Sequence, residues 1–438
     1  MESHSIRANP TKEFFITMLT RDIPLDRAIL DLIDNSVDAA NSSNLLNDDR
    51  RNDNVDVKID INFTNEKFVI IDNCGGIPIE VAKNYAFRFG RPTDSPLTPN
   101  SVGQFGVGMK RTLFKLGKQF KVSSKHNGEE GFCVNVNVED WKNDDQSNDW
   151  EFQYTFQYDI EENSTIIEVT DLYPEISQVL SEQGFDNSLM RQISQSHFKS
   201  LRQGLKIYVN NQLVKPFPIT FYDNDTISPL VMIKEIDGVE VKVIAGISER
   251  DLSKGGWYIV CNNRLVVASE QSTMTGWDTD DIRKYHPDAA YFRGIVEFNC
   301  TDSSKLPWTT TKTGVDINSL VYRKALILMK DAMRQILSFL NSRVKEAKYL
   351  EEGRINNAPL VSAIANSKPK EIRDSISTRI LNIPKANLAA EPSKETRIQY
   401  VVETEKFDKV AELLGITQKS EVGLKTFNYY YSYEVGNE

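Results

Sequence analysis

Apolar residues in this chain recur with two different periods. Through the stretch 31–39 the spacing is helical: Ala28, Ile29, Leu30, Leu32, Ile33, Val37, Ala39 and Ala40 cover most of a helical wheel. That arc is wider than the roughly 100° stripe of an ordinary surface helix, so it predicts a helix buried on most sides. Asp22 suits its cap and Pro24 its first turn. Asp31, Asn35 and Asp38, at i, i+4 and i+7, leave one narrow polar strip. Such a strip either faces solvent or lines a cleft.

Strand-like runs follow at 55–63 and 67–72, a helical segment at 79–88, and a helix from Met109 to Leu116 that stops at Gly117. From 118 to 170 the pattern is β, with runs at 118–124, 131–138, 150–158 and 164–170 and an acidic connection over 139–149. A helix over 187–201 and a hairpin over 205–214 close a first domain, 1–222. The expected architecture is α/β: a two-layer sandwich, mixed sheet on one side, helices on the other. The apolar cluster Phe14, Phe15, Ile16, Met18 and Leu19 before it suits a first helix packed on this domain or an arm reaching a second subunit.

A second, smaller α/β domain is expected over 223–317, with strands at 239–247, 256–261 and 291–299 broken by a loop at 268–290. Residues 318–352 read as a long helix of about 45 Å, at about 1.5 Å per residue. Its stripe of Leu320, Leu326, Met329, Met333, Ile336, Leu337, Leu340 and Val344 suits packing or pairing. Residues 353–402 have weak periodicity and read as linker-like. Residues 403–438 read as a small helical and aromatic module, with Phe427, Tyr429, Tyr430, Tyr431 and Tyr433 as a docking surface.

The net charge of −10 argues against a surface that binds nucleic acid over its whole extent, though local basic patches stay open. The cysteines Cys74, Cys133, Cys261 and Cys300 are far apart and suggest reduced thiols rather than disulfides or a zinc site. With no long apolar run and no signal peptide, no membrane is implied and a cytoplasmic location is expected.

Candidate chemistry is concentrated between Asp31 and Lys110. D-L-I-D-N-S-V-D-A at 31–39 supplies the polar strip, and D-N-C-G-G-I at 72–77 puts a carboxylate at a strand end before two glycines. G-Q-F-G-V-G-M-K at 103–110 brings glycine amides to a helix N-terminus, where an anion is stabilised. Lys110 and Arg111 in that first turn oppose the helix dipole unless an anion is bound. Seven of the 22 glycines fall between 75 and 117, so loop freedom is concentrated here. Residues 89–102, directly before these glycines, form a long loop read as a lid.

Together the three stretches resemble the nucleotide-binding motifs of the gyrase, heat-shock chaperone, histidine-kinase and MutL superfamily, the GHKL ATPases; the P-loop signature is not present. The resemblance implies the Bergerat-type ATP-binding fold, with ATP and Mg²⁺ as cofactors. It implies Asn35 as the Mg²⁺ ligand, Asp38 beside it, Asp72 for the adenine amino group and Gly76 as room for the base. Gly103, Gln104, Phe105, Gly106, Val107 and Gly108 would wrap the phosphates, with Lys110 as an added cation and Thr165 helping hold the adenine. The family's water-orienting glutamate, four residues before the Asn, is here Asp31, one methylene shorter. A displacement on the order of 1 Å in a catalytic group costs about 100-fold in rate, so slow hydrolysis or a scaffold without turnover is implied. Cys74 stands where the family pattern has its first glycine.

G-W-Y-I-V-C-N-N-R-L-V at 256–266 is similar to the opening of the transducer domain of MutL- and microrchidia-like ATPases. In those relatives a lysine from this domain reaches the terminal phosphate; Lys312 in K-L-P-W-T-T-T-K-T-G is the choice and Lys305 the alternative. The resemblance is good over 25–117, fair to about 316 and absent beyond. It implies an ATP-dependent homodimer with a closing lid and a nucleic-acid-linked or genome-defence role. A chaperone-like action on protein clients is the second reading. A histidine kinase is disfavoured, because the early His4 lies outside any helical pattern.

Overall fold

The structure, a computed structural model, describes residues 11–43, 45–46, 56–90, 100–103, 106–143, 150–279, 282–371, 376–388, 396 and 398–436. His4, most of the expected lid (91–99), Gln104, Phe105 and the end of the acidic connection (144–149) lie outside them.

The first helix, α1 (Lys12–Thr20), is capped by Thr11, whose hydroxyl accepts from Phe14 N at 3.2 Å. It packs on the first domain through buried Ile16. The strip-bearing helix is α2 (Leu25–Ser42). Its N-cap is Pro24, without a side-chain hydrogen bond, so the expected cap at Asp22 is corrected: the chain enters the helix one residue past Asp22's reach. Ile29, Leu30 and Ile33 are fully buried, and each contributes about 1.5–3 kcal/mol by leaving water.

Strands β1 (Lys58–Phe63) and β2 (Lys67–Asp72) pair antiparallel, and the short α3 (Ile79–Val81) runs into a π-turn over Ala82–Ala86. Then come α4 (Gly108–Leu116), β3 (Gly117–Lys125), β4 (Phe132–Asn137), α5 (Val138–Asn143), β5 (Tyr154–Phe156) and β6 (Ser164–Leu172). The expected acidic connection thus begins as a helix turn, anchored by buried Trp141. Helices α6 (Pro174–Leu180), α7 (Phe185–Ser196) and α8 (Phe198–Arg202) and the hairpin β7 (Lys206–Val209), β8 (Gln212–Leu213) complete the layer. The sheet order is β5-β4-β3-β6-β2-β1-β7-β8, antiparallel except for parallel β1 and β7. Helices α2 and α4 lie side by side, joined by Thr112 Oγ1 donating to Ala28 O at 2.6 Å. The result is the α/β sandwich the pattern predicts.

After β9 (Thr220–Tyr222), a second sheet is built from β10 (Leu230–Ile236), β11 (Val239–Ile247), β12 (Gly256–Cys261), β13 (Arg264–Glu270) and β14 (Phe292–Asn299). Its order is β10-β11-β14-β12-β13. The long helix is α9 (Leu320–Glu351), unbroken over 32 residues. Its apolar stripe does not pair with another helix among the described residues. Met329, Met333, Ile336 and Leu340 are buried in the same apolar cluster as the second sheet, so α9 is that sheet's covering layer.

The stretch expected to be linker-like is tied down instead. Helix α10 (Pro359–Ala365) packs on α9, and β15 (Pro369–Glu371) pairs with β9. Residues 379 and 382 bridge to β10 and its approach. Fully buried Glu346 on α9 accepts from Leu360 N at 2.8 Å and Asn387 N at 2.9 Å, gathering the strap onto the helix. Helices α11 (Thr404–Leu414) and α12 (Lys419–Tyr430) follow, with Tyr429, Tyr430, Tyr431 and Tyr433 exposed.

Candidate active site

Helix α2 presents its polar strip to α4 and to the second domain. Asn35 is exposed, while Asp31 and Asp34 beside it are buried. A Cβ added to Gly103 would stand 3.2 Å from Asn35 Oδ1, and one added to Gly108 would stand 3.1 Å from Asp31 Cβ. The glycines therefore let the loop and the start of α4 lie directly against the strip. Gly106 is left-handed, at φ +64°, and Val107 caps α4 with no side-chain bond, so the amides of its first turn stay open to an anion.

Asp38 has another task. Its carboxylate accepts from Val102 N at 2.8 Å and Gly103 N at 2.7 Å, fastening the root of the glycine loop to α2. Burial pushes its pKa up to about 6 against the pull of those amides. Lys110 is also turned inward. Its Nζ donates to Ala86 O at 2.8 Å in the π-turn, and burial lowers its pKa to about 7.

At the other end of the strip, Asp72 closes β2. Its carboxylate accepts from Ser36 Oγ at 2.6 Å and from Cys74 N at 3.0 Å. Burial raises its pKa to about 6. Thr165 stands opposite Asp72 in the β2–β6 register, and its hydroxyl is 2.9 Å from Ser124 Oγ, which accepts from Ile77 N at 2.8 Å. Cys74 is fully buried and its φ is not positive, which is how a side chain is accommodated in this turn. Gly76 is left-handed at φ +66°, and a Cβ there would be 2.2 Å from Lys125 O. The glycine is thus required by a neighbouring carbonyl even before any base is considered.

The second domain reaches this strip with two cations. Lys312, from the loop after β14, places Nζ 2.6 Å from Asp34 Oδ2 and 3.3 Å from Asp31 Oδ1. Burial pulls its pKa down, and Asp34 and Asp31 outweigh that and hold it above the ordinary lysine value. Arg264, at the start of β13, brings Nε within 3.1 Å of Asp34 Oδ1. That approach is an ion pair outside hydrogen-bond geometry, and both atoms are buried without a hydrogen-bond partner among the described residues. From α4, Arg111 Nη2 hydrogen-bonds Asp31 Oδ2. Lys305, the alternative to Lys312, does not join the strip; it lies near Gly238.

His197, between α7 and α8, completes the cluster. Its Nε2 is 3.3 Å from Asp34 Oδ1 and 3.4 Å from Arg264 Nη1. Arginine has no acceptor, so Nε2 accepts from Arg264 and is the unprotonated nitrogen. Burial, with the Arg264 charge, depresses the imidazole pKa to about 3, and His197 is neutral at physiological pH. Burial works to raise the pKa of Asp34, but Arg264, Lys312 and His197 reverse it and hold the carboxylate below its usual range.

The structure therefore brings together Asp31, Asn35, Asp38, Gly103, Gly108 and Lys312, with Asp72, Gly76 and Thr165 at the far end of the strip. Gln104 and Phe105 lie outside the described residues. Sequence reasoning missed Asp34, Ser36, Ser124, His197 and Arg264. The one available signal was a carboxylate at 34 inside an apolar arc too wide to leave it in solvent.

Among the described residues, no group of three or more His, Cys, Asp or Glu could hold a metal ion, and no helix is long and apolar enough to cross a membrane. No curated protein matches the chain. Residues 23–168, about a third of the chain, match the family model described as "Histidine kinase-, DNA gyrase B-, and HSP90-like ATPase". The matched segment runs from the residue before Pro24 to β6, taking in α2, the Asp72 turn and the glycine stretch, and the first domain is an ATPase domain of the GHKL type.

Proposed function

We propose that the chain binds Mg–ATP between α2 and the glycine stretch and hydrolyses its terminal phosphoanhydride, using the second domain as a sensor of the third phosphate. The observation that carries this reading is the buried approach of Lys312 to Asp31, across 281 positions of sequence. The ionised groups gathered there are Asp31 and Asp34 against Arg111, Arg264 and Lys312, with His197 neutral. That leaves one positive charge in excess, and a buried excess charge calls for an anion.

In this reading Asp72 accepts a hydrogen bond from the adenine amino group, its orientation set by Ser36 and Cys74. The amides at the start of α4 and the Lys312 ammonium face the phosphate oxygens, where charge spreads in phosphoryl transfer. Asp31 orients the attacking water and takes up its proton. Asn35, exposed beside Gly103, is the protein ligand of the magnesium ion, whose remaining oxygens come from phosphates and water. Bound there, the ion draws charge from the phosphates and fixes their geometry. Asp38 keeps the loop root in register and does not itself touch the nucleotide, since backbone amides occupy its oxygens.

We place the cycle in a nucleotide-dependent homodimer, supported by Phe14 and Met18, which stand 58% and 57% exposed on α1 beside the ATPase domain. Single-turnover hydrolysis by the wild type, Asp31→Ala and Asn35→Ala tests the chemistry. Losing the group that handles the water costs roughly 10²–10⁴-fold. Equal rates in all three would refute the assignment. Solution mass with and without a non-hydrolysable ATP analogue tests the dimer.

A further inference from the structure

The ion cluster holds more groups than ATP hydrolysis by itself calls for. Asp34, His197 and Arg264 are buried, and of the three only Asp34 touches a residue assigned to the nucleotide, Lys312. A lysine is a compact charge on a flexible stem, and a sensor of one phosphate needs that charge at a fixed point. Two devices fix it here. The backbone of Lys312 is left-handed at φ +54° in a tight loop, where Lys312 N donates to Thr309 O at 2.9 Å and Thr309 N to Gly314 O at 3.0 Å. A non-glycine residue stays in that conformation when its surroundings determine it. The ammonium is then held by Asp34 Oδ2 at 2.6 Å, closer than Asp31 Oδ1 at 3.3 Å.

Asp34 does not choose its orientation alone. Arg264 follows a tight turn in which Asn262 and Asn263 are left-handed, at φ 44° and 64°, joining β12 to β13. That turn presents the guanidinium to Asp34 Oδ1, and neutral His197 accepts from its other arm. With Oδ1 drawn toward Arg264, Oδ2 is left facing Lys312. Lysine and arginine both come from the second domain, and both close on one carboxylate of the helix that carries Asn35.

We propose that Asp34 and Arg264 are positioning residues: Arg264 orients Asp34, Asp34 holds the Lys312 ammonium at the place of the third phosphate, and the chain thereby distinguishes nucleoside triphosphate from diphosphate. The proposal rests on the ATP reading above and adds the source of its selectivity. Without Arg264, both oxygens of Asp34 are free to draw the lysine in, away from the phosphate.

The test is a double-mutant cycle on the full chain, reading the ratio of the dissociation constants for ADP and a non-hydrolysable ATP analogue by calorimetry. The wild type prefers the triphosphate. Arg264→Gln and Lys312→Gln each reduce that preference about tenfold, the size of one charge-assisted hydrogen bond. The double variant loses no more than either single one, because Arg264 acts through Lys312. Arg264→Lys, which restores the charge without the fork, recovers part of the preference. Single effects that multiply in the double variant overturn the proposal, as does an equal loss of ADP and triphosphate affinity in Arg264→Gln, which marks a fold support. Where Arg264→Gln does not fold, isosteric Asp34→Asn takes its place in the cycle with the same expected outcomes. If the wild type binds neither nucleotide, the ATP reading fails and this one with it. If all variants bind both with wild-type selectivity, only this one fails.

Discussion

Lys312→Ala in the nucleotide-free protein is the most direct probe of how the second domain is fastened to the ATPase domain. The lysine side chain is 7% exposed and its two carboxylate partners are 0% and 8% exposed, so water screens neither contact. At an effective dielectric of about 20, separations of 2.6 and 3.3 Å correspond to about 6 and 5 kcal/mol of attraction before desolvation. Desolvation of all three groups offsets most of that, and measured losses from deleting one partner of a buried pair are about 3–5 kcal/mol. Here the lower end applies. Asp34 keeps Arg264 at 3.1 Å, and Asp31 keeps Arg111, so neither carboxylate is stranded. The expected cost is therefore about 3 kcal/mol. With a urea dependence near 2 kcal/mol per molar for a domain of this kind, the midpoint falls by about 1.5 M. Tryptophan fluorescence reads it, since Trp257 and Trp277 are fully buried in the second domain. A buried network is screened little, so the difference persists at 1 M salt, where the Debye length is about 3 Å. A midpoint shift under about 0.3 M, or one that vanishes in high salt, would show that the lysine is a solvated loop residue and not a tie between domains.

Two further outcomes follow from the base end of the site. Asp72 has its pKa raised to about 6, and only its ionised form accepts from an adenine amino group, so ADP affinity falls as pH drops through 6, by up to about tenfold per unit below it. Asp72→Asn removes that step, and a flat wild-type affinity between pH 5 and 7 would refute the contact. The same raised value means the contribution of Asp72 to folding is fully present below the ordinary carboxylate pKa and is lost as pH rises through about 6; His197, depressed to about 3, works in the opposite sense and loses stability as pH falls below its ordinary value of 6.5. Gly76→Ala puts a methyl 2.2 Å from Lys125 O at a left-handed φ, costing at least about 2 kcal/mol in thermal or urea unfolding. Unchanged stability in that variant would mean the turn after β2 is not held as described.

What could be read from the sequence was what is local. The helix of Asp31 and Asn35, the strand that ends at Asp72 and the glycines before α4 each announce themselves within about ten residues, and the sheet around them follows from alternation. Lys312 was found by its motif, not by any pattern of its own. Asp34 was passed over because its partners lie far away: His197 and Arg264 meet it from the end of α7 and the start of β13, and no periodicity links those positions. The strap over residues 359–388 read as a linker for a similar reason. It is held by backbone amides on one buried carboxylate, Glu346, and by isolated bridges at 379 and 382, and neither leaves an apolar repeat. The stripe on α9 was legible, but its partner was not, because an amphipathic face does not say whether a helix or a sheet covers it.

The short acid at position 31 has a physical answer in the same cluster. A glutamate would extend from α2 toward its water; Asp31 stays close to its helix, and the rest of the site is drawn in toward it. Gly108 lets the start of α4 come within contact distance of the aspartate's Cβ, Arg111 from the next turn takes Oδ2, and Lys312 crosses from the second domain to Oδ1. Each of those elements is fixed by something other than Asp31: α4 by the Thr112 bond to α2, Lys312 by Asp34. The acid is thus one member of an assembled cluster whose geometry depends on the second domain being seated. A water-orienting group completed only by a distant domain makes hydrolysis conditional on domain position, and that is the property a nucleotide-driven switch requires.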